Sequence, residues 1–145
     1  PTTGVDAVSR KEFWEMLKNL KAQGITIIVS TPYMDEAGLC DRVALIQKGR
    51  ILQINTPEKI VNEYEYPMVG VKADNMYRLL NDLRNYKSIK SAHRFGDSIH
   101  TTLFEKKGIE TLTKYLEDGG YNDVSVTTIV PNIEDCFMAL TTDNL

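Results

Sequence analysis

Between residues 68 and 130 the sequence switches repeatedly between two periodicities, and this alternation constrains the fold more than any other feature. Met76, Leu79, Leu80 and Leu83 recur at the three- and four-residue spacing of one helix face, and Ile109, Leu112, Tyr115 and Leu116 repeat the pattern. Around these stripes, residues 68–73, 88–95, 98–104 and 124–130 read as strands. Gly96-Asp97 is a dipeptide suited to a tight hairpin between the middle two. Asp74 or Asn75 starts the first helix, and Gly119-Gly120 terminates the second.

The order is therefore βαββαβ, the ferredoxin-like split βαβ arrangement of an α+β domain, and it is expected to occupy residues 66–145 with Pro67 near its boundary. A last helix is predicted after Pro131, with Ile133, Phe137 and Leu140 on one side. The first 65 residues have a different character. Residues 9–23 place Phe13, Met16, Leu17 and Leu20 at helical spacing, with Ser9 and Glu12 as a capping box and Gly24 as the stop. Residues 25–29 are a nearly unbroken β-branched run, which predicts a strand buried on both faces of a parallel sheet. After a short helical segment at 35–40, strands at 43–46 and 50–54 are joined by a turn at Lys48-Gly49. Thr56 then caps a helix with Pro57 at its first position. No internal repeat or low-complexity segment is present.

Bulk properties exclude several functions. At 145 residues and 42% hydrophobic content the chain can build one ordinary domain or two small ones. Seventeen basic against 20 acidic residues leave no positive excess for a phosphate backbone or an anionic bilayer, so no nucleic-acid partner is expected. No apolar run approaches the roughly 18 to 20 residues needed to span a membrane, and residues 1–10 lack the features of a signal peptide. Cys40 and Cys136 stand far apart without CxxC spacing, which fits buried free thiols in a reducing compartment.

The most specific words are Pro1-Thr2-Thr3-Gly4-Val5-Asp6, followed by Val8-Ser9-Arg10. They resemble the segment that follows the Walker B motif in ABC ATPases, where the catalytic glutamate directly precedes the proline. Thr3, Gly4, Val5 and Asp6 then correspond to the D-loop, whose aspartate helps arrange the opposite ATP site when two nucleotide-binding domains close. Taken alone, Asp6 reads better as a helix cap, and it is the surrounding words that favour the D-loop. Further along, residues 26–31 and Tyr33-Met34-Asp35-Glu36-Ala37 resemble the strand and loop that carry the family's switch histidine. Cys40-Asp41-Arg42-Val43-Ala44-Leu45-Ile46, Lys48-Gly49-Arg50-Ile51-Leu52 and Thr56-Pro57-Glu58 continue in the family's order.

One position departs from the pattern. Pro32 stands where the family has its histidine, and proline has neither a ring nitrogen nor a backbone N–H with which to hold a γ-phosphate. The resemblance therefore implies a degenerate site in the parent protein, paired with a competent partner domain. The closing Pro131-Asn132-Ile133-Glu134-Asp135-Cys136-Phe137 resembles the P-x-(I/L)-E-D-x-F ending of ATP-binding subunits that serve ABC-2 type permeases in drug and polysaccharide export. Its acidic first turn is also what any Pro-started helix favours.

The resemblance implies the carboxyl-terminal part of an ABC exporter's ATP-binding subunit. Residues 1–65 would complete a nucleotide-binding domain, and residues 66–145 would form an accessory domain. Implied partners are the rest of that domain, a second nucleotide-binding domain and an ABC-2 type permease, at the cytoplasmic face of the membrane. ATP and Mg²⁺ belong to the parent protein. The chain itself contains no G-x-x-x-x-G-K-(S/T) run with which to cradle phosphate, so on its own it is expected to hold no nucleotide and to catalyse nothing. A second function class is a self-contained effector-binding or dimerisation module built on the βαββαβ unit. The hairpin register places His93 opposite His100, a weak candidate for a metal site without a third ligand. Because the 25–29 run is written for burial, a second copy of the chain across that edge, or a poorly ordered first unit, is expected.

Overall fold

A computed structural model describes residues 1–142. Its element order is α1 (Ala7–Ala22), α2 (Met34–Ala37), β1 (Val43–Gln47), β2 (Arg50–Asn55), α3 (Pro57–Asn62), β3 (Met68–Lys72), α4 (Met76–Asn85), β4 (Ile89–Phe95), β5 (Ser98–Leu103), α5 (Gly108–Asp118), β6 (Ser125–Thr128) and α6 (Ile133–Thr142). The described residues thus form an α/β structure with two sheets and six helices.

The larger sheet has the strand order β4-β5-β3-β6, every neighbouring pair antiparallel. Registers such as Val71 opposite Ile99 and Ala92 opposite Thr101 put one side chain of every pair of residues on the same face. On that face Val69, Val71, Ile89, Ala92, Ile99 and Leu103 meet Leu79 and Leu83 of α4 and Leu112 and Leu116 of α5, and most of them are wholly enclosed. The two helical stripes read from the sequence are therefore the core of this unit. Asn75, one of the two expected start residues, caps α4 by accepting from the Arg78 N–H at 3.0 Å. The Gly96-Asp97 hairpin forms with Gly96 at φ +57°, the positive value a first central position needs in a type II′ turn.

The opposite face of this sheet is polar. Met68 and Gly70 of β3, Ser91 and His93 of β4 and His100 and Thr102 of β5 lie there in register. Tyr64 reaches it through a 2.6 Å hydrogen bond with Thr102, and α6 reaches it through Asp135.

The first part of the chain is smaller and less enclosed. β1 and β2 form an antiparallel hairpin with a bulge between Leu45 and Ile46, turned by Lys48 and Gly49, both at positive φ. Its core joins Ala37, Val43, Leu45 and Ile60 to Ile133 and Cys136 of α6. The last helix thus packs back on α2 and α3, and reaches the sheet that precedes it through Asp135.

Three sequence expectations are corrected. The cap of α1 is Asp6, which accepts from Val8 N and Ser9 N; the helix therefore starts before the Ser9–Glu12 box. Of the α1 residues only Trp14 is buried, while Met16 of the expected stripe is 49% exposed. Residues 25–30 form no strand at all: Ile28 is 94% exposed, and none of the described strands pairs with them. A parallel strand exists only through ladder bonds to its neighbours, and β-branched composition cannot substitute for them.

Candidate functional site

The segment expected to be the D-loop is a tight turn at the foot of α1. Val5 N donates to Thr2 O at 3.1 Å, and Gly4 takes φ +76°, a value at which a side chain would strain the backbone. Asp6 is extended and capping, and hydrogen bonds from Ser9, side chain and backbone, hold its carboxyl below the usual range. Thr3, Gly4, Val5 and Asp6 are all exposed. Pro32 is also exposed, in a bend directly after Thr31.

What brings these two loops together is Glu36, which lies in the Tyr33–Ala37 word but was given no role of its own there. Its side chain is 1% exposed. Thr2 Oγ1 donates to its Oε1 and Thr31 Oγ1 donates to its Oε2. The Pro1 nitrogen lies 3.2 Å from Oε2. Burial works against the charged form of this carboxyl, but the bonds from Thr2 and Thr31 and the adjacent amine outweigh it and bring the pKa down to about 2. Thr31 also accepts from Tyr33 N at 3.1 Å, so its hydroxyl is fixed from both sides. The sequence signal for Glu36 was its place in the word Tyr33-Met34-Asp35-Glu36-Ala37, which by itself says nothing of Thr2 or Thr31.

The second polar cluster lies where α6 crosses the sheet. His93 and His100 are cross-strand partners, as the two-residue turn implied. They are not equivalent. His100 Nδ1 is 2.8 Å from Asp135 Oδ1 and the ring stacks on Phe95 at 4.3 Å, whereas His93 Nε2 is buried without a hydrogen-bond partner among the described residues. Burial lowers the His93 pKa, the Arg84 charge adds to the effect and Asp135 opposes it. Asp135 also exchanges reciprocal 2.9 Å bonds with Asn132, forming the capping box of α6. Among the described residues no group of three or more His, Cys, Asp or Glu is placed to hold a metal ion.

Asp6 is engaged by the N–H groups of α1, Pro32 offers no donor, and no lysine follows a glycine-rich loop in the sequence. No described helix is long and apolar enough to cross a membrane.

No protein-family model matches the chain. Curated relatives do. Over 143 residues, 97% of the chain, it is 30% identical to the Nod factor export ATP-binding protein I of Rhizobium leguminosarum bv. viciae and 28% identical to that of a Rhizobium species, covering 44% and 45% of those proteins. Over 60 residues, 41% of the chain, it is 40% identical to 10% of the probable multidrug ABC transporter ATP-binding protein YbhF of Escherichia coli. These relatives are named as ATP-binding proteins of Nod factor export and of a multidrug ABC transporter. The chain belongs to the ABC transporter ATP-binding proteins. It spans less than half the length of these curated relatives.

Proposed function

We propose that the chain is the rear portion of an exporter's ATP-binding subunit. Residues 1–65 complete a nucleotide-binding domain, and residues 66–145 form an accessory domain of ferredoxin-like topology. The observation that carries this reading is the match along 143 residues to relatives named for export ATP-binding. The ordered words from Pro1 to Glu58 support it, and the sheet order β4-β5-β3-β6 supports the topology.

In this reading Thr3, Gly4, Val5 and Asp6 are the D-loop facing a second nucleotide-binding domain, and the phosphate-gripping loop, with its ATP and Mg²⁺, lies elsewhere in the parent subunit. Pro32 leaves the parent's own site without a γ-phosphate sensor, so that site is degenerate and the partner domain supplies the competent half. The subunit works at the cytoplasmic face of an ABC-2 type permease. The exposed Ile25 and Ile28 are then surface that the rest of the nucleotide-binding domain, or a second copy of the chain, covers. Return of α6 to the core of the first part favours a mechanical role for the accessory domain, since that helix ties the two parts together beside the Tyr64–Thr102 bond.

Calorimetric titration with Mg-ATP tests this. The 145-residue chain is expected to show no saturable heat and the full-length subunit to show one site per nucleotide-binding domain. Saturable binding by the chain alone refutes the assignment. Robust turnover by the isolated full-length domain, abolished by replacing its own Walker lysine, refutes degeneracy.

A further inference from the structure

We infer that Glu36 is a positioning residue that clamps the turn of residues 2–6 to the switch loop at Thr31 and Pro32, so that neither loop moves without the other. The inference rests on the reading above for what the two loops are; the clamp itself rests on geometry. One enclosed carboxylate accepts a hydroxyl on each oxygen, from Thr2 on one loop and from Thr31 on the other, 34 and 5 residues away in sequence. A buried carboxylate cannot leave one oxygen unbonded without a large desolvation penalty, so the two hydroxyls are held as a pair. Each threonine in turn fixes a backbone amide: Thr2 O accepts from Val5 N, inside the D-loop turn, and Thr31 Oγ1 accepts from Tyr33 N, just past Pro32.

A consequence follows for the transporter subunit. Pro32 removes the direct sensor from the switch loop, yet leaves the link that carries that loop's position to the turn facing the opposite ATP site. The clamp lets a degenerate domain still impose geometry on its partner. This is a property of Glu36 and the two threonines rather than of any histidine at position 32.

Amide hydrogen exchange tests it in the 145-residue chain and in the full-length subunit. Glu36→Leu is expected to raise exchange on the order of tenfold at both Val5 and Tyr33, while Glu36→Gln, which retains a carbonyl acceptor and a group each hydroxyl can bond, largely restores protection. The amides of Val71 and Ile99 in the four-stranded sheet serve as controls and stay unchanged. If Glu36→Leu fails to fold, the Thr2→Val/Thr31→Val double variant breaks the clamp from the other side and must give the same paired rise. Faster exchange at only one of the two amides, or an equal rise at Val71 and Ile99, overturns the clamp. A full-length subunit without substitutions that binds no ATP overturns the assignment of the loops instead, and is told apart because it needs no variant.

Discussion

Glu36 and Asp135 are the two acidic side chains that the fold encloses among the described residues, and the surroundings of Glu36 make stability depend on pH. The folded-state pKa of Glu36 lies near 2, below the 4.5 of a free glutamate, so its contribution to stability is complete above about pH 4.5 and drains away as pH falls toward 2. Glu36→Gln is expected to flatten the denaturation midpoint across that window, followed by circular dichroism at a series of pH values.

His93 acts in a higher range. Its pKa is lowered from 6.5 by burial first and by the Arg84 charge second, so the unfolded chain takes up the proton more readily and stability is lost as pH falls below about 6.5. His93→Gln removes that titration, and the acid side of the stability profile below pH 6.5 should become shallower. The cross-strand placement of His93 and His100 was legible in the sequence, because a two-residue hairpin fixes the register of everything beyond it. The partnership of Glu36 with Thr2 was not legible: the contact spans 34 residues, and neither residue has a neighbour whose type announces it.

At the scale of elements, the stripes of α4 and α5 became helices packed on the four-stranded sheet, whereas the apolar run at residues 25–29, which no described strand pairs with, did not become a strand. Leu79 of α4 is completely enclosed against the sheet, so Leu79→Ala is expected to cost about 2–5 kcal/mol in a denaturant titration. Ile28 comes from an equally apolar run but is 94% exposed, and Ile28→Ala should stay within about 0.5 kcal/mol. Comparing the two separates composition from burial as the source of stability. Turns were readable wherever backbone geometry left little choice of residue. Gly96 at φ +57° is such a position, and Gly96→Ala should cost about 1–2 kcal/mol by forcing a Cβ into the left-handed region. The start of α1 was misplaced because two acceptable caps, Asp6 and Ser9, stand three residues apart, and the chain uses the first.

On the scale of the whole molecule α6 is the element that joins the two parts, since it gives Ile133 and Cys136 to the core beneath β1 and α3 and gives Asp135 to the sheet. Periodicity correctly placed this helix and its apolar side, but no local pattern says which of two cores an amphipathic helix will join. Cys136 Sγ approaches Ile60 O at 3.6 Å, and the thiol pKa is pushed up to about 11 by burial, then by the Asp135 charge, so it behaves here as a small apolar group. Two substitutions within one helical turn should therefore report in different places. Ile133→Ala, opening a void in the smaller core, is expected to cost about 2–4 kcal/mol and to raise amide exchange in β1. Asp135→Ala, removing the capping box and the His100 contact together, is expected to cost about 2 kcal/mol and to shift the His93 and His100 ring resonances while leaving the amides of Val69 and Val71 protected. If both variants instead lower protection uniformly across both sheets, the two parts unfold as one unit and α6 is part of a single core rather than a joint between two.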